Sequence, residues 1–442
     1  MKTITSAGRG VMAAGTVLVT STVLVTSTAL ALGTVTACTP TAGGSVTILV
    51  AWSGAELTAF EGTVVRGFEA AYPGTAVHVE STRALNSDLD TDLQQGDPPD
   101  VAALPSIGAI NQYATRGVLW PLDGLIDSRA YGQPWSSLIR PEANGHVYAV
   151  PVKADVKSLI WDDPQALRQA APGTPPPATL PQLTALSQRL AQAGRPPWCL
   201  AVSSPPTSGW PGADWVADLL LASAGPRSYQ QWADGQLPWT SPQVTAAWQA
   251  WGTLLGTGTA AGGQASALTA AIGSVRPSPG GCFLSHGTLV DQGFAPAARY
   301  GTDYAFFPFP SRSGAIQVSA DFIGMFRATP AARDLIRYMT STAAQEAWVG
   351  YPGADGFSPS SEVPASAYPS PVTRSIAALL TSGRELCFGA ADAMPPDLGA
   401  AFDHAALWYL AQPSALTRAI LPQLARVRPS EGSSPHVCGT PG

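Results

Sequence analysis

Charge is scarce in this chain. Only 12% of its 442 residues are Asp, Glu, Lys or Arg, the formal net charge is -6, and the 24 basic residues form no block. Without a run of cations to neutralise successive phosphates, a nucleic-acid partner is not expected. Histidine is rarer still: His78, His146, His286, His404 and His436 stand apart, and none falls in the HExxH spacing of a zinc hydrolase. The sequence holds no GxSxG elbow and no Walker loop. "GTGTAAG" from Gly256 fails as a dinucleotide fingerprint, because it follows a helical pattern rather than a strand and its last spacing is wrong. No cofactor and no metal is implied, and any ATP hydrolysis belongs to a separate partner.

What is abundant is apolar and small. Hydrophobic residues make up 45%, with 44 Gly and 41 Pro, so the chain can bury more than one core while Ser, Thr, Gln, Gly and Pro cover its surface. That composition suits an exported protein with a neutral ligand. The N-terminus agrees: Lys2 and Arg9 precede residues 11–37, "VMAAGTVLVTSTVLVTSTALALGTVTA", which carry no charge. The stretch is long enough for a membrane span, but it is rich in Ser and Thr and ends in Val35-Thr36-Ala37-Cys38. This ending resembles a bacterial lipobox, which implies a signal peptide over 1–37, a lipid on the Cys38 thiol, and anchoring at the outer face of the membrane. Setting Cys38 aside leaves Cys199, Cys282, Cys387 and Cys438, an even number with no CxxC spacing. In an oxidising compartment they read as two disulfides with three connectivities open.

Along the rest of the chain, residues 38–45 form the lipidated Cys and a small-residue tether, and "SVTILVAW" reads as a buried strand. "ELTAFEGTVVRGFEAAYPG" spaces Leu57, Phe60, Val64, Phe68 and Tyr72 as an amphipathic helix. "TAVHVES" is a strand, "SDLDTDLQQG" a helix and "PPDVAALP" a strand, so the first part is an open parallel α/β sheet. Such sheets bind ligands beyond the carboxyl ends of their strands, which places Trp52, Glu56, Arg83 and Ser106 at one crevice. "HVYAVPV" and "KSLIW" read as two strands separated by Lys153, Ala154 and Asp155. "LPQLTALSQRLAQAG" is a helix, "WCLAVSS" a strand, and "PGADWVADLLLASAG" a helix with Pro211 in its first turn and a stop at Gly225-Pro226. Later, "TAAWQAWGTLLGTG" is a helix, "DYAFFPFP" and "GAIQVSADFIGMFR" are strands, and "AARDLIRYMTSTAAQEAWV" and "SIAALLTSG" are helices.

"FEAAYPGTAVHVE", "GDPPDVAALPSIGAINQYATRGVLWPLDGLI", "GHVYAVPV" with "KSLIW", "DFIGMF" and "YMTSTAAQEAWV" resemble the successive signatures of extracellular solute-binding proteins of carbohydrate ABC importers. "SGWPGADW", "GGCFLSHG" and "ADAMPPDLGAAF" add a likeness to binders of α-glucosides and other oligosaccharides. The resemblance implies an α/β, two-lobed periplasmic-binding-protein-like fold (type II) with the ligand in the cleft. It divides the chain into a lobe of 45–155 with 316–347 and a lobe of 156–315 with 348–442. Pairing Cys199 with Cys282 and Cys387 with Cys438 keeps each bridge inside one lobe. The partners implied are a neutral sugar and the permease subunits of an importer, with the protein itself a monomer. The chain departs from the family pattern at Asp162-Asp163, where relatives carry Tyr-Asn, and after Phe388, where an acidic residue is missing.

A pyranose presents apolar CH faces and a rim of hydroxyls, so its site needs flat rings and acceptors. Trp210 and Trp215 could supply the rings and Asp214 the acceptor, although Trp215 lies four before Leu219 and is equally a core residue. Trp52 and Glu56 follow the first strand, where the family places ligand contacts. Arg83 clamps the sugar, or Glu56, or makes a salt bridge within its lobe. Asp321 and Asp392 stand where the family pattern has an aspartate, and Phe357 and Ser358 match a segment that re-enters the cleft; Trp248 and Trp251 read as packing. Two alternatives use the same residues. A glycoside hydrolase would need two carboxyl groups about 5–9.5 Å apart, from among Glu56, Asp214, Asp321 and Asp392. A sensing lipoprotein would report the bound ligand to a membrane kinase. No segment suggests a hydrolase barrel, so the expectation is a receptor without catalysis.

Overall fold

The computed structural model describes residues 44–131, 135, 145–256, 266–295, 297–354, 356–428 and 436–439. The expected signal peptide, Cys38 and most of its tether lie outside the described residues, as does most of the glycine motif after Gly256. Gly44 and Ser45, read as the end of the tether, already belong to the first strand.

A β-branched, mostly apolar run tends to take a central place in a parallel sheet, with strands paired at both edges and both faces covered. "SVTILV" does so: β1 (Gly44–Val50) lies between β2 (Thr75–Ser81) and β3 (Val101–Leu104), parallel to both. β2 alternates half-buried and exposed residues, as an edge strand should. The connecting helix runs as α1 (Gly54–Phe60), a π-helical turn (Glu61–Val65) and α2 (Arg66–Ala71), burying Phe60, Val64 and Phe68. After α3 (Leu85–Gln95) and β3 comes α4 (Ile107–Thr115). The parallel expectation holds for these strands only. β8 (Ile316–Met325) enters antiparallel to β3, and one of its edges is shared by β3 near its end and β9 (Leu386–Phe388) near its start. The other edge pairs with β4 (Ala149–Val156), and the two-residue β10 (Cys438–Gly439) closes the far side.

A second, three-stranded sheet places β5 (Leu159–Asp162) between β6 (Leu284–His286) and β7 (Ala305–Pro308), all antiparallel. The chain crosses between the sheets at Lys157-Ser158 and again between β7 and β8. The crossings are tied together. Lys157 N and Ser158 N donate to Gln317 O at 2.8 and 3.2 Å, Gln317 N donates to Ser158 Oγ at 2.6 Å, and Phe309 N donates to Ser158 O at 2.8 Å.

The helix opened by "WPGADW", Trp210–Ala233, starts after Gly209, whose φ of 107° turns the chain, and carries Pro211 in its first turn. Residues Gly212 to Ala222 are buried on every side, so this helix runs through the core rather than over it. Gly225, at φ 82°, interrupts it before Pro226, at the stop expected from the sequence.

Three readings change. Lys153 to Asp155 do not separate two strands but lie inside β4, and Lys157-Ser158 form the separator. "WCLAVSS" makes only single bridges, Trp198 to Leu284 and Ser203 to Ala271, because its backbone follows a loop leading to Pro205-Pro206. "AARDLIRYMTSTAAQEAWV" is two helices, Pro330–Met339 and Thr342–Val349, since Ser341 leaves the helix to accept from Ala344 N and cap the second. The disulfides are Cys199–Cys282 and Cys387–Cys438, the second stapling β9 to β10.

Candidate functional site

β4 carries charge through the interior. Period two puts Lys153 and Asp155 on one face, and Lys157 follows two residues beyond, roughly 13 Å from Lys153 along an extended chain. Lys153 Nζ reaches Asp155 Oδ2 at 2.8 Å, Glu56 Oε1 at 2.9 Å and Asp321 Oδ2 at 3.7 Å. The Trp52 indole N–H donates to the same Asp321 oxygen at 2.8 Å. Burial alone would lower the Lys153 pKa, but Asp155, Glu56 and Asp321 outweigh it and hold the ammonium well above its ordinary value. Burial pushes Asp155 up to about 7 against the pull of Lys153, and raises Asp321 in the same direction.

Lys157 is the second centre. Its Nζ donates to Asp214 Oδ1 and to Asp392 Oδ2, both at 2.8 Å, and lies 5.7 Å from the centroid of the Trp210 ring. Gln317 Nε2 also donates to Asp214 Oδ1, at 3.1 Å. Burial lifts Asp214 to about 7 despite Lys157, while Asp214 and Asp392 together overcome burial and raise Lys157 above its normal range. Gly389 permits this approach: a Cβ there would stand 2.7 Å from Asp392 Oδ2 and 3.0 Å from Lys157 Nζ. Behind the pair, burial raises Asp403 well above the ordinary carboxylate range, helped by Asp392 and Asp214.

Beside this centre opens a recess of about 400 Å³ including its mouth, lined in part by Trp210, Asp214, Ser285, His286, Asp291 and Gln292. Its wall is connected to the crossing segments. His286 Nε2 lies 2.7 Å from Asp218 Oδ2, and Ser158 Oγ, at the crossing, donates to Asp218 Oδ1. A larger recess of about 2070 Å³, also open to solvent, runs beside Arg195 and the Cys199–Cys282 bridge, and none of the expected ligand-binding residues lines it.

The expected residues therefore gather in two groups: Trp52, Glu56 and Asp321 around Lys153, and Trp210, Asp214 and Asp392 around Lys157. Ser106 stands behind the second, donating to Asp392 O at 2.9 Å while capping α4 through Ala109 N. Trp52 is buried against Phe60 and Trp348. Trp215 is 2% exposed and packs on Trp198, His286 and Phe309, so it backs the recess instead of lining it. Arg83 is exposed and bonds neither sugar-sized space nor Glu56; its Nη2 donates to Ser204 Oγ at 2.8 Å, linking the first strand-helix units to the loop before Trp210. Phe357 pairs with Ala154 of β4 and stacks on Tyr368, and Ser358 Oγ donates to Gln345 Oε1 at 2.7 Å, so both fasten the re-entrant segment. Trp248 and Trp251 are fully buried. Lys153, Lys157, His286 and Asp291 were not singled out from the sequence. The lysines had a signal: "VKADVKS" alternates charge through an otherwise apolar stretch, which a half-buried surface strand has no need to do.

The bacterial extracellular solute-binding protein family matches residues 51–346. The chain is 30% identical over 380 residues to the alpha-glucosides-binding periplasmic protein AglE of Rhizobium meliloti (strain 1021), covering 81% of each. It is 32% identical over 339 residues to the osmoprotective compounds-binding protein GgtB of Synechocystis sp. (strain ATCC 27184 / PCC 6803 / Kazusa), covering 74% of this chain and 79% of that one. Among solved structures, a chitin oligosaccharide binding protein superposes with a TM-score of 0.71 at 17% identity, over 86% of this chain and 97% of that one. The two sheets and their crossing segments are thus the two-lobed α/β binding-protein fold, and the chain belongs to the bacterial extracellular solute-binding proteins.

Proposed function

We propose that this protein is the extracytoplasmic receptor of an ABC importer and captures a neutral sugar, an α-glucoside or related di- or oligosaccharide, in the recess beside Lys157. The observation that carries the reading is the half-buried Trp210 indole next to an acceptor-rich wall of Asp214, Asp291, Ser285 and Gln292. The ring covers a CH face and the polar groups meet the hydroxyl rim. A hydrogen bond to a charged acceptor contributes about 1.5–3 kcal/mol net. Three or four of these with one stack are enough for micromolar affinity, about 8 kcal/mol. The name of AglE, an alpha-glucosides binder, supports a hydroxylated sugar guest, and that of GgtB, an osmoprotective-compounds binder, a small one.

Closure follows from the crossings. The His286–Asp218–Ser158 chain joins the recess wall to the segments about which the lobes, 45–155 with 316–347 and 156–315 with 348–442, would turn. A guest touching both lobes favours the closed state by the difference in its affinity for the two states. The closed monomer, anchored through lipid on Cys38, then docks on the permease subunits. Catalysis has no place in this reading: Glu56 and Asp321 pair with Lys153, and Asp214 and Asp392 with Lys157, so none of these four carboxylates is free to serve as acid or base across a guest.

A thermal-shift screen of the mature chain against neutral mono-, di- and oligosaccharides tests this, because a ligand of the native state raises Tm by mass action. At least one sugar should raise it, and the same panel incubated with protein should yield no cleavage products. Product formation at catalytic protein levels would make the protein a hydrolase.

A further inference from the structure

Lys157 neutralises Asp214 and Asp392, but Asp291, on the same recess, has no such partner. Among the described residues its side-chain donor is the neutral hydroxyl of Thr288, at 2.5 Å to Oδ2, and no basic side chain forms an ion pair with it. Burial raises its pKa, opposed by the Thr288 hydrogen bond and, from further off, by the Lys157 and Lys153 ammonium groups. A half-buried carboxylate without an ion-pair partner is costly unless donors reach it.

Its position is nonetheless fixed. Ser285 Oγ donates to Gln292 Oε1 at 2.5 Å and Gln292 Nε2 donates to Thr288 O at 3.0 Å, so the short turn bearing Asp291 is braced from both sides. Backbone closes beneath it, since a Cβ on Gly293 would stand 2.6 Å from Gly273 O. Thr288 takes one oxygen, Oδ2, and the residue lines the recess that Trp210 walls.

We propose that Asp291 is the specificity-determining acceptor of this site: it receives donors from the guest, admits sugars that bring hydroxyl or ammonium groups, and refuses sugars carrying a carboxylate or phosphate. This rests on the sugar-binding reading above and adds the charge class of the guest. A like charge brought into the recess would face a carboxylate that has no ion-pair partner and that Lys157 and Lys153 offset only from a distance. An ammonium would gain a charge-assisted bond.

The test is calorimetric titration of the mature protein and of Asp291→Asn with trehalose, 6-amino-6-deoxytrehalose and trehalose 6-phosphate, with maltose in parallel. The wild type should bind trehalose and its amine, the amine at least as tightly, and the phosphate at least 100-fold more weakly. Asp291→Asn should lose about tenfold or more for trehalose and reduce the trehalose-to-phosphate preference by at least tenfold. Unchanged affinity and preference in the variant, or wild-type binding of the phosphate equal to trehalose, would overturn the proposal. If maltose binds and none of the three trehalose compounds does, the sugar reading stands and the assignment of Asp291 falls; if nothing binds, both fall. Should Asp291→Asn not fold, Thr288→Val, which releases the carboxylate but keeps its charge, should weaken trehalose severalfold while still rejecting the phosphate, and wild-type affinity there would equally overturn the proposal.

Discussion

Lys153 and Lys157 sit on consecutive stretches of one chain segment, each bound by aspartates, yet they serve different ends. Lys153 meets three carboxylates whose side chains are 10–17% exposed, under a tight lid: a Cβ on Gly356 would lie 2.6 Å from its Cε. Lys157 meets two, one of them Asp392 at 28% exposure, beside the Trp210 ring and the recess. The first centre ties α1, β4 and β8 together beside a small recess of about 190 Å³ including its mouth; the second borders the larger recess that Trp210 walls. Similar residue chemistry thus makes a fastening in one place and, in the proposed reading, a binding wall in the other, according to what packs above it.

The strongest way to break this comparison is to remove the cations. Lys153→Met strands Glu56, Asp155 and Asp321, and urea unfolding should show a loss of about 3–5 kcal/mol. Lys157→Met should destabilise less and also weaken sugar binding; a variant of Lys153 that unfolds like the wild type would deny the fastening role. The next effect is on pH. Asp155 and Asp214, each lifted by burial to about 7, keep protons in the native state that the unfolded chain releases near 4. Their contribution to stability is therefore complete below about 4 and is lost as pH rises through about 7. A tenfold change in proton affinity is worth about 1.4 kcal/mol, so each contributes a few kcal/mol at most. Tm should fall between pH 5 and 8, and Asp155→Asn should flatten that slope, whereas a Tm that climbs through this window and ignores the substitution contradicts the assignment.

Smaller effects sharpen the contrast between wall and support. Trp210→Ala should weaken the sugar about tenfold or more with little change in unfolding. Trp215→Ala, five residues along the same helix, should act chiefly on stability, because its ring fills the core. Least of all, Arg83→Ala removes an exposed bond to Ser204 and should change the sugar dissociation rate by only a few-fold, seen by stopped-flow fluorescence.

The elements that were legible are those whose pattern depends on local physics. β1 shows itself by β-branching, the helix from Trp210 by Pro211 and Gly225, and the helix over Pro242–Leu255 by its apolar spacing. The break at Ser341 was legible in principle too, since serine competes for the backbone at a helix start, but the apolar spacing on either side masked it. The site was half readable. Trp210, Asp214 and Asp392 converge from "SGWPGADW" and "ADAMPP", while the cation joining the last two, Lys157, follows β4 and was read as the first residue of the strand "KSLIW". Whether Trp210 or Trp215 faces a recess depends on which way the helix is rotated against Trp198, His286 and Phe309. Asp291 gave no signal because its setting, the Thr288 hydroxyl and the Ser285–Gln292–Thr288 hydrogen bonds around its turn, is made by folding and not by spacing.

The most direct test of the receptor account is calorimetric titration of the mature chain and Trp210→Ala with maltose, trehalose, sucrose and raffinose. The account predicts that at least one binds the wild type at one site per chain with micromolar or tighter affinity, and that the variant binds it at least tenfold more weakly. A folded wild-type chain that takes none of the four, or a Trp210→Ala variant that binds as the wild type does, would contradict it.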